Sequence, residues 1–190
     1  IIKPLIRDNI ALNAHPEGCY ENIVKQIQTL ESKEKITDKP LNVLIIGGSS
    51  GYGLSSRIAL AFNANAYTYN ISFERGPKGR NTGSAGYYNN IAFQKLADAK
   101  GIPHDDLNAD AFSHETKQTV IDHFKSLGKT IDLVIYSVAS GIRFDPDTQE
   151  KYVSSLKPVV APFTGYNVDI AKQQLSLETL DVATEDEIKN

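Results

Sequence analysis

The sequence predicts an α/β fold, a doubly wound parallel sheet with a small N-terminal extension of strand and helix. Three observations carry it. Short apolar runs, long enough for strands only, recur at Val43–Ile46, Ala66–Phe73 and Leu133–Ser137, with a weaker one at Ile102–Asn108. Stretches with apolar residues at helical spacing lie between them. A turn rich in glycine joins the first run to its helix. Strand and helix in alternation imply a parallel sheet covered on both faces. In such sheets ligands bind beyond the carboxyl ends of the strands, so the residues that end each strand matter most.

The chain has 190 residues, enough for a substantial core. A net charge of −3 gives no general reason to bind nucleic acid or anionic lipid. No apolar run is long enough to span a bilayer, and IIKPLIRDN lacks the apolar core of a signal peptide. The single Cys19 excludes an internal disulfide and suits a reducing cytoplasm. The chain contains no Met, even at position 1, which predicts that it is part of a longer product. Residues 1–40 read as an extension packed on the same domain. Residues 41–190 read as the main domain, incomplete at its C-terminus.

Within the extension, the apolar runs Ile1-Ile2, Leu5-Ile6 and Ile10-Ala11-Leu12 predict one or two small strands. Pro16 and Gly18 mark a turn, and Ile23, Val24, Ile27 and Leu30 predict a helix over Glu21–Lys33. The polar stretch from Glu31 to Pro40 links it to Val43–Ile46, a strand expected to be covered on both faces. Gly47, Gly48, Gly51 and Gly53 then break the run, and Leu54, Ile58, Ala61 and Phe62 predict a helix from near Gly51. Ala66–Phe73, rich in Tyr, Thr and Ile, predicts the second strand, ending at Glu74. Arg75–Gly86 is a loop with four Gly, one Pro and three basic residues. Tyr88, Ile91, Ala92, Leu96 and Ala99 predict a helix stopped by Gly101. Ile102–Asn108 leads to Asp110-Ala111-Phe112, where Ser113 is an expected N-cap for a helix closed by Gly128. That helix should bury Val120, Ile121, Phe124 and Leu127. Leu133–Ser137 is expected to be a strongly buried fourth strand, running into Val138-Ala139-Ser140-Gly141.

A strand, a glycine turn and a helix in that order form a phosphate-binding device, because unbonded N–H groups at the helix start face an anion. This predicts a Rossmann-like dinucleotide site made of Gly47, Gly48, Ser49, Ser50, Gly51 and Tyr52. The spacing Gly47-x-x-x-Gly51-x-Gly53 is neither G-x-G-x-x-G nor a Walker loop. It is similar to the turn of the short-chain dehydrogenase/reductase superfamily. Glu74, next to Phe73, ends the second strand, where a carboxylate accepts hydrogen bonds from ribose hydroxyls and repels a 2′-phosphate. That favours NADH, although Arg75, Lys78 and Arg80 are neighbours that suit the same phosphate. Asp110, with Ala111, stands either to accept from the adenine amino group or to charge the start of the next helix. Val138 and Ala139 are small residues where backbone passes close to the ribose. His15, His114 and His123 complete no metal-ligand spacing, and no G-x-S-x-G elbow is present.

Several motifs together resemble one family. IIKPLIR…AHPEGC, GGSSGYGLSSRIA, FERGPKGRNTGSAGYYN, NADAFS, YSVAS and SSLKP are similar to the trans-2-enoyl-CoA and enoyl-ACP reductases of the FabV/TER type, a monomeric offshoot of the short-chain superfamily. The resemblance runs from Ile1 to about Glu178. It implies NADH-dependent reduction of the 2,3 double bond of an enoyl-CoA or enoyl-acyl-carrier-protein thioester in fatty acid synthesis, in the cytoplasm. It also implies NAD contacts at the strand-end residues named above. Tyr67-Thr68-Tyr69-Asn70 and Gly141-Ile142-Arg143 depart from the family pattern, and the stretch after Pro158 matches loosely. Members are about twice as long, with the proton-donating Tyr and its Lys beyond residue 190, so no catalytic residue is assigned in this chain. Thr184-x-x-Glu187 is a capping box that announces one more helix. A carbonyl-reducing short-chain enzyme and a non-catalytic NAD(H)-binding module are the alternatives. The first needs a Tyr after the fourth strand, where Tyr152 and Tyr166 lack a suitable Lys.

Overall fold

The computed structural model of the chain describes residues 3–7, 10–170 and 172–189. The Ile1-Ile2 run lies outside them. In chain order the elements are β1 (Ile6–Arg7), β2 (Ile10–Ala11), α1 (Pro16–Gln28), β3 (Asn42–Ile46), α2 (Gly51–Ala64), β4 (Tyr67–Ser72), α3 (Ala85–Ala99), β5 (His104–Asn108), α4 (His114–Ser126), β6 (Leu133–Tyr136), β7 (Ile142–Phe144), β8 (Lys151–Val153), β9 (Phe163–Asp169), β10 (Gln174–Leu180) and α5 (Glu185–Lys189). They fall into two compact units, Ile1–Lys3 with Asn13–Ala139, and Pro4–Leu12 with Ser140–Asn190. Within the first unit α1 packs against α2 and α3.

The first unit holds a parallel sheet in the order β5-β4-β3-β6. The chain moves outward from β3 to β4 to β5, then returns to pair β6 on the other side of β3. This reversal is the switch point of a doubly wound fold. Helices α1, α2 and α3 share one apolar cluster built on Ile23, Leu54, Ile58, Ala92 and Phe93. On the opposite face, Val120 and Phe124 of α4 pack on Leu44, Tyr67, Tyr69 and Ile71. Val43, Leu44 and Ile45 are buried, as expected for a strand covered on both faces.

Three expectations need correction. Helix α1 runs over Pro16–Gln28, not Glu21–Lys33, because Pro16 and Gly18 start a helix instead of making a turn. Pro stands at a first-turn position, where its missing N–H costs nothing, and the His15 ring accepts from Gly18 N–H at 3.1 Å. Strand β6 is not strongly buried: Val134 and Tyr136 are 54% and 63% exposed. Within this chain β6 comes last in the strand order, and the apolar face of α4 covers β4 rather than β6. Ile121 of α4 and Leu127, its C-cap, are exposed, since Val120 and Phe124 are the α4 residues in the sheet cluster.

Among the described residues, the strand pairs of the second unit are antiparallel: β1 with β2, β7 with β8, and β9 with β10. The capping box closes as its spacing predicts. Thr184 N–H donates to Glu187 Oε2 at 2.9 Å, and Glu187 N–H donates to Thr184 Oγ1 at 3.3 Å.

Candidate functional site

The turn after β3 is shaped by contacts that leave no room for side chains. Gly47 has φ +92°, and a Cβ there would overlap the Ser137 carbonyl at the end of β6. Gly53 stands in the first turn of α2, where a Cβ would overlap the Gly47 carbonyl, so strand and helix approach backbone to backbone. Two of the expected open amides are already committed. Gly47 N–H donates to Ile71 O at 2.8 Å, and Gly48 N–H donates to the Asn70 carboxamide at 2.9 Å. The turn sits beside β4, whose backbone and side chain take these donors.

The helix start remains open. Ser50 is the N-cap but makes no side-chain cap bond, and Leu54 N–H is the first to bond back, to Ser50 O at 3.1 Å. The amides of Gly51, Tyr52 and Gly53 therefore precede the helical ladder. Gly51 has φ +53° with no atom within 4 Å of where a Cβ would stand, and Tyr52 is 90% exposed. Gly51 and Tyr52 thus put the start of α2 and its macrodipole at an exposed place, the arrangement an anion needs, while Gly53 is buried.

Glu74 lies two residues beyond β4, and it reaches the turn. Its carboxylate accepts from Ser49 Oγ at 2.6 Å and from the Ser84 hydroxyl. Its backbone is clamped by Asn108, which accepts from Glu74 N–H at 2.7 Å and donates to Glu74 O at 2.9 Å. Phe73 beside it is 80% exposed. Asp110 lies two residues beyond β5, and its carboxylate accepts from Phe112 N–H at 2.9 Å, while Ser113 caps α4 by accepting from Thr116 N–H. Ala111 packs against the α4-side cluster. Val138 is half-buried beside Gly47, and Ala139 is exposed. All twelve expected residues thus gather at the carboxyl edge of one sheet.

Beneath the turn lies a polar network that the sequence reading missed. Arg57 of α2 is fully buried and makes a paired contact with Asp106 of β5, 2.7 Å to each carboxylate oxygen. Asn70 donates to Asp106 at 2.9 Å while accepting from Gly48, so the ion pair connects to the turn through one side chain. Burial alone would push the Asp106 carboxyl up. The neighbouring His104, the Arg57 charge and bonds from Arg57 and Asn70 outweigh it and hold the group at about 2. Asn89 of α3 donates to Ser49 O at 2.9 Å, a second hold on the turn. One signal was available: Thr68, Asn70 and Ser72 alternate with Tyr67, Tyr69 and Ile71 in a strand whose every residue is buried. Polar groups at such positions require partners.

With this geometry in view, comparison with known proteins is direct. Residues 1–79 match the NAD(P)H-binding domain of trans-2-enoyl-CoA reductase, and residues 81–190 match the trans-2-enoyl-CoA reductase catalytic region. An enoyl-[acyl-carrier-protein] reductase [NADH] of Idiomarina loihiensis is 46% identical over 190 residues, covering 100% of this chain and 48% of that protein. One from Photobacterium profundum is 47% identical over 188 residues, with coverages of 99% and 47%. Among solved structures, the Clostridium acetobutulicum trans-2-enoyl-CoA reductase in complex with NADH superposes with a TM-score of 0.90 at 36% identity. The Treponema denticola enzyme in complex with NAD gives 0.89 at 41%. Each superposition covers 100% of this chain, and 48% and 49% of the solved chains respectively. The chain therefore spans about half the length of the relatives it matches. Sequence motifs, sheet topology and these matches agree: the chain belongs to the trans-2-enoyl-CoA reductase family.

Proposed function

We propose that this chain is the cofactor-holding part of an NADH-dependent reductase acting on the trans-2 double bond of enoyl-CoA or enoyl-acyl-carrier-protein thioesters. The observation that supports it most is the pairing of an exposed helix N-terminus at Gly51 and Tyr52 with a carboxylate, Glu74, bonded to Ser49 of the same turn. An anion-accepting end and a hydroxyl-accepting end stand one turn apart, the demand made by a pyrophosphate joined to a ribose.

In this reading Ser49, Ser50, Gly51 and Tyr52 receive the pyrophosphate, and Gly47 and Gly48 shape the turn. Glu74 accepts from the adenine-ribose hydroxyls, with Phe73 beside it. Asp110 and Ala111 flank the adenine, and Val138 and Ala139 lie along the nicotinamide-side ribose. NADH when bound supplies the hydride. The residues here fix its position and exclude a 2′-phosphate, and no proton donor is assigned among them. The thioester substrate is carried over from the names of the relatives.

Titration of the chain with NADH, read by nicotinamide fluorescence, tests the cofactor half; saturable binding is expected, and none would remove the reading. Crotonyl-CoA-dependent oxidation of NADH by a protein extended to the length of the relatives tests the reaction. Binding without that oxidation, also with an acyl-carrier-protein substrate, would leave an NAD(H)-binding module instead.

A further inference from the structure

Glutamate is a long side chain with several rotatable bonds, and at a strand end nothing in the backbone aims it. Here three neighbours do. Ser49 and Ser84 each give a hydroxyl hydrogen to the Glu74 carboxylate. Gly86 lies directly under it, and a Cβ at that position would overlap both carboxylate oxygens. We infer that Ser84 and Gly86 are positioning residues for cofactor discrimination, acting through the Glu74 carboxylate; the inference rests on the dinucleotide reading above.

Two details support a dedicated seat. Ser84 is the N-cap of α3, where a serine usually bonds to its own helix, yet it makes no such bond. Its hydroxyl instead donates to Glu74 and accepts from Arg75 N–H at 3.2 Å. The carboxylate thus stands at the start of α3, a favourable place for a negative charge. Gly86 is in the first turn of that helix, where glycine is a weak helix former, and the three atoms nearest to where its Cβ would stand all belong to Glu74. The position of the carboxylate also decides between opposing tendencies. Arg75, Lys78 and Arg80 in the adjoining loop are exposed cations that suit a 2′-phosphate, and the seated carboxylate faces that phosphate with a fixed like charge.

The two residues can be tested separately from Glu74 itself. Gly86→Ala keeps every charge and improves helix propensity, and the clash is relieved by moving the end of one flexible side chain. Ser84→Ala removes one hydroxyl, and Ser84→Thr restores it. Dissociation constants for NADH and NADPH would be measured by fluorescence on the chain carrying each substitution, with Glu74→Ala as reference. Gly86→Ala and Ser84→Ala should each lower the preference for NADH over NADPH by roughly threefold to tenfold, with Ser84→Thr near the parent value. If Glu74→Ala shifts the preference while Gly86→Ala and Ser84→Ala leave it unchanged, or weaken both cofactors equally, the positioning role is refuted and the dinucleotide reading stands. If Glu74→Ala leaves the preference unchanged, the role of Glu74 fails and the inference fails with it.

Discussion

Among the described residues Arg57 is the largest side chain with no solvent exposure, and its guanidinium stacks on Phe93 at 3.7 Å. A buried cation of this kind is tolerable only with its partner present. Asp106→Ala should therefore destabilise the chain by about 3 kcal/mol or more, as read from urea unfolding. The pH dependence has a definite sign. Asp106 is depressed from 3.8 to about 2, so its contribution is complete above about pH 5 and lost as pH falls toward 2. The Asp106 share of the unfolding free energy should fall by about 1 kcal/mol from pH 5 to pH 3, and Asp106→Ala should remove that share of the total drop. His104 runs the other way. The facing Asp106 raises it against the opposing effect of burial, with help from Asp98, so its contribution is present in mild acid and lost as pH rises through the raised value. Among the described residues, His104 Nδ1 is buried with no hydrogen-bond partner, 3.6 Å from Asp106 Oδ2. That distance makes the contact an ion pair when the ring is protonated. None of this was legible from the residue types alone, because Arg57, Asn70 and Asp106 are brought together by three different elements.

At the scale of elements, the glycine turn separates two kinds of requirement. Gly51 needs only its left-handed backbone, since nothing stands near a Cβ there. Gly53 needs absent volume, because Gly47 O is in the way. Gly51→Ala should cost about 1–2 kcal/mol of stability. Gly53→Ala should cost as much or more, about 1–3 kcal/mol, and should also weaken NADH because strand and helix must separate. Thermal unfolding with a parallel NADH titration would check both, and equal NADH affinity in Gly53→Ala and the parent would count against the packing role. Element existence was readable because apolar spacing differs between strand and helix, as for β3 and α2. Boundaries were less so. Pro16 can open a helix or belong to a turn, and only the His15 cap and the packing of Ile23 and Ile27 decide it. Strand β4 carries the same lesson. Its alternation of Tyr67, Tyr69 and Ile71 with Thr68, Asn70 and Ser72 suggests one wet face, yet both faces are dry. The polar face is covered by α2 and α3, with Arg57 and Asn90 as partners.

For the molecule as a whole, burial is very uneven. Every buried residue among those described falls between Ile23 and Phe124, in the first unit. In the second unit β9 and β10 pair in register, Leu177 opposite Tyr166 and Leu175 opposite Val168, yet these four side chains are each more than half exposed. Hydrogen exchange should show the contrast. Amides of Val43–Ile45 and Tyr69–Ile71 should be the slowest in the chain, and those of β9 and β10 should exchange much earlier, since few buried contacts hold them. Equal protection in the two units would contradict this distribution of stability.

The residues by themselves determined the alternation of strand and helix, the glycine turn, the Ser113 cap, the capping box at Thr184 and the twelve strand-end positions of the candidate site. Those features depend on local spacing and local backbone freedom, which a sequence states openly. Tertiary structure alone decided that α4 packs on β4 rather than β6, that Gly48 gives its amide to Asn70, and that Glu74 is seated by Ser49, Ser84 and Gly86. Each of these joins residues far apart in the chain, and such contacts exist only after the sheet has brought its strand ends together.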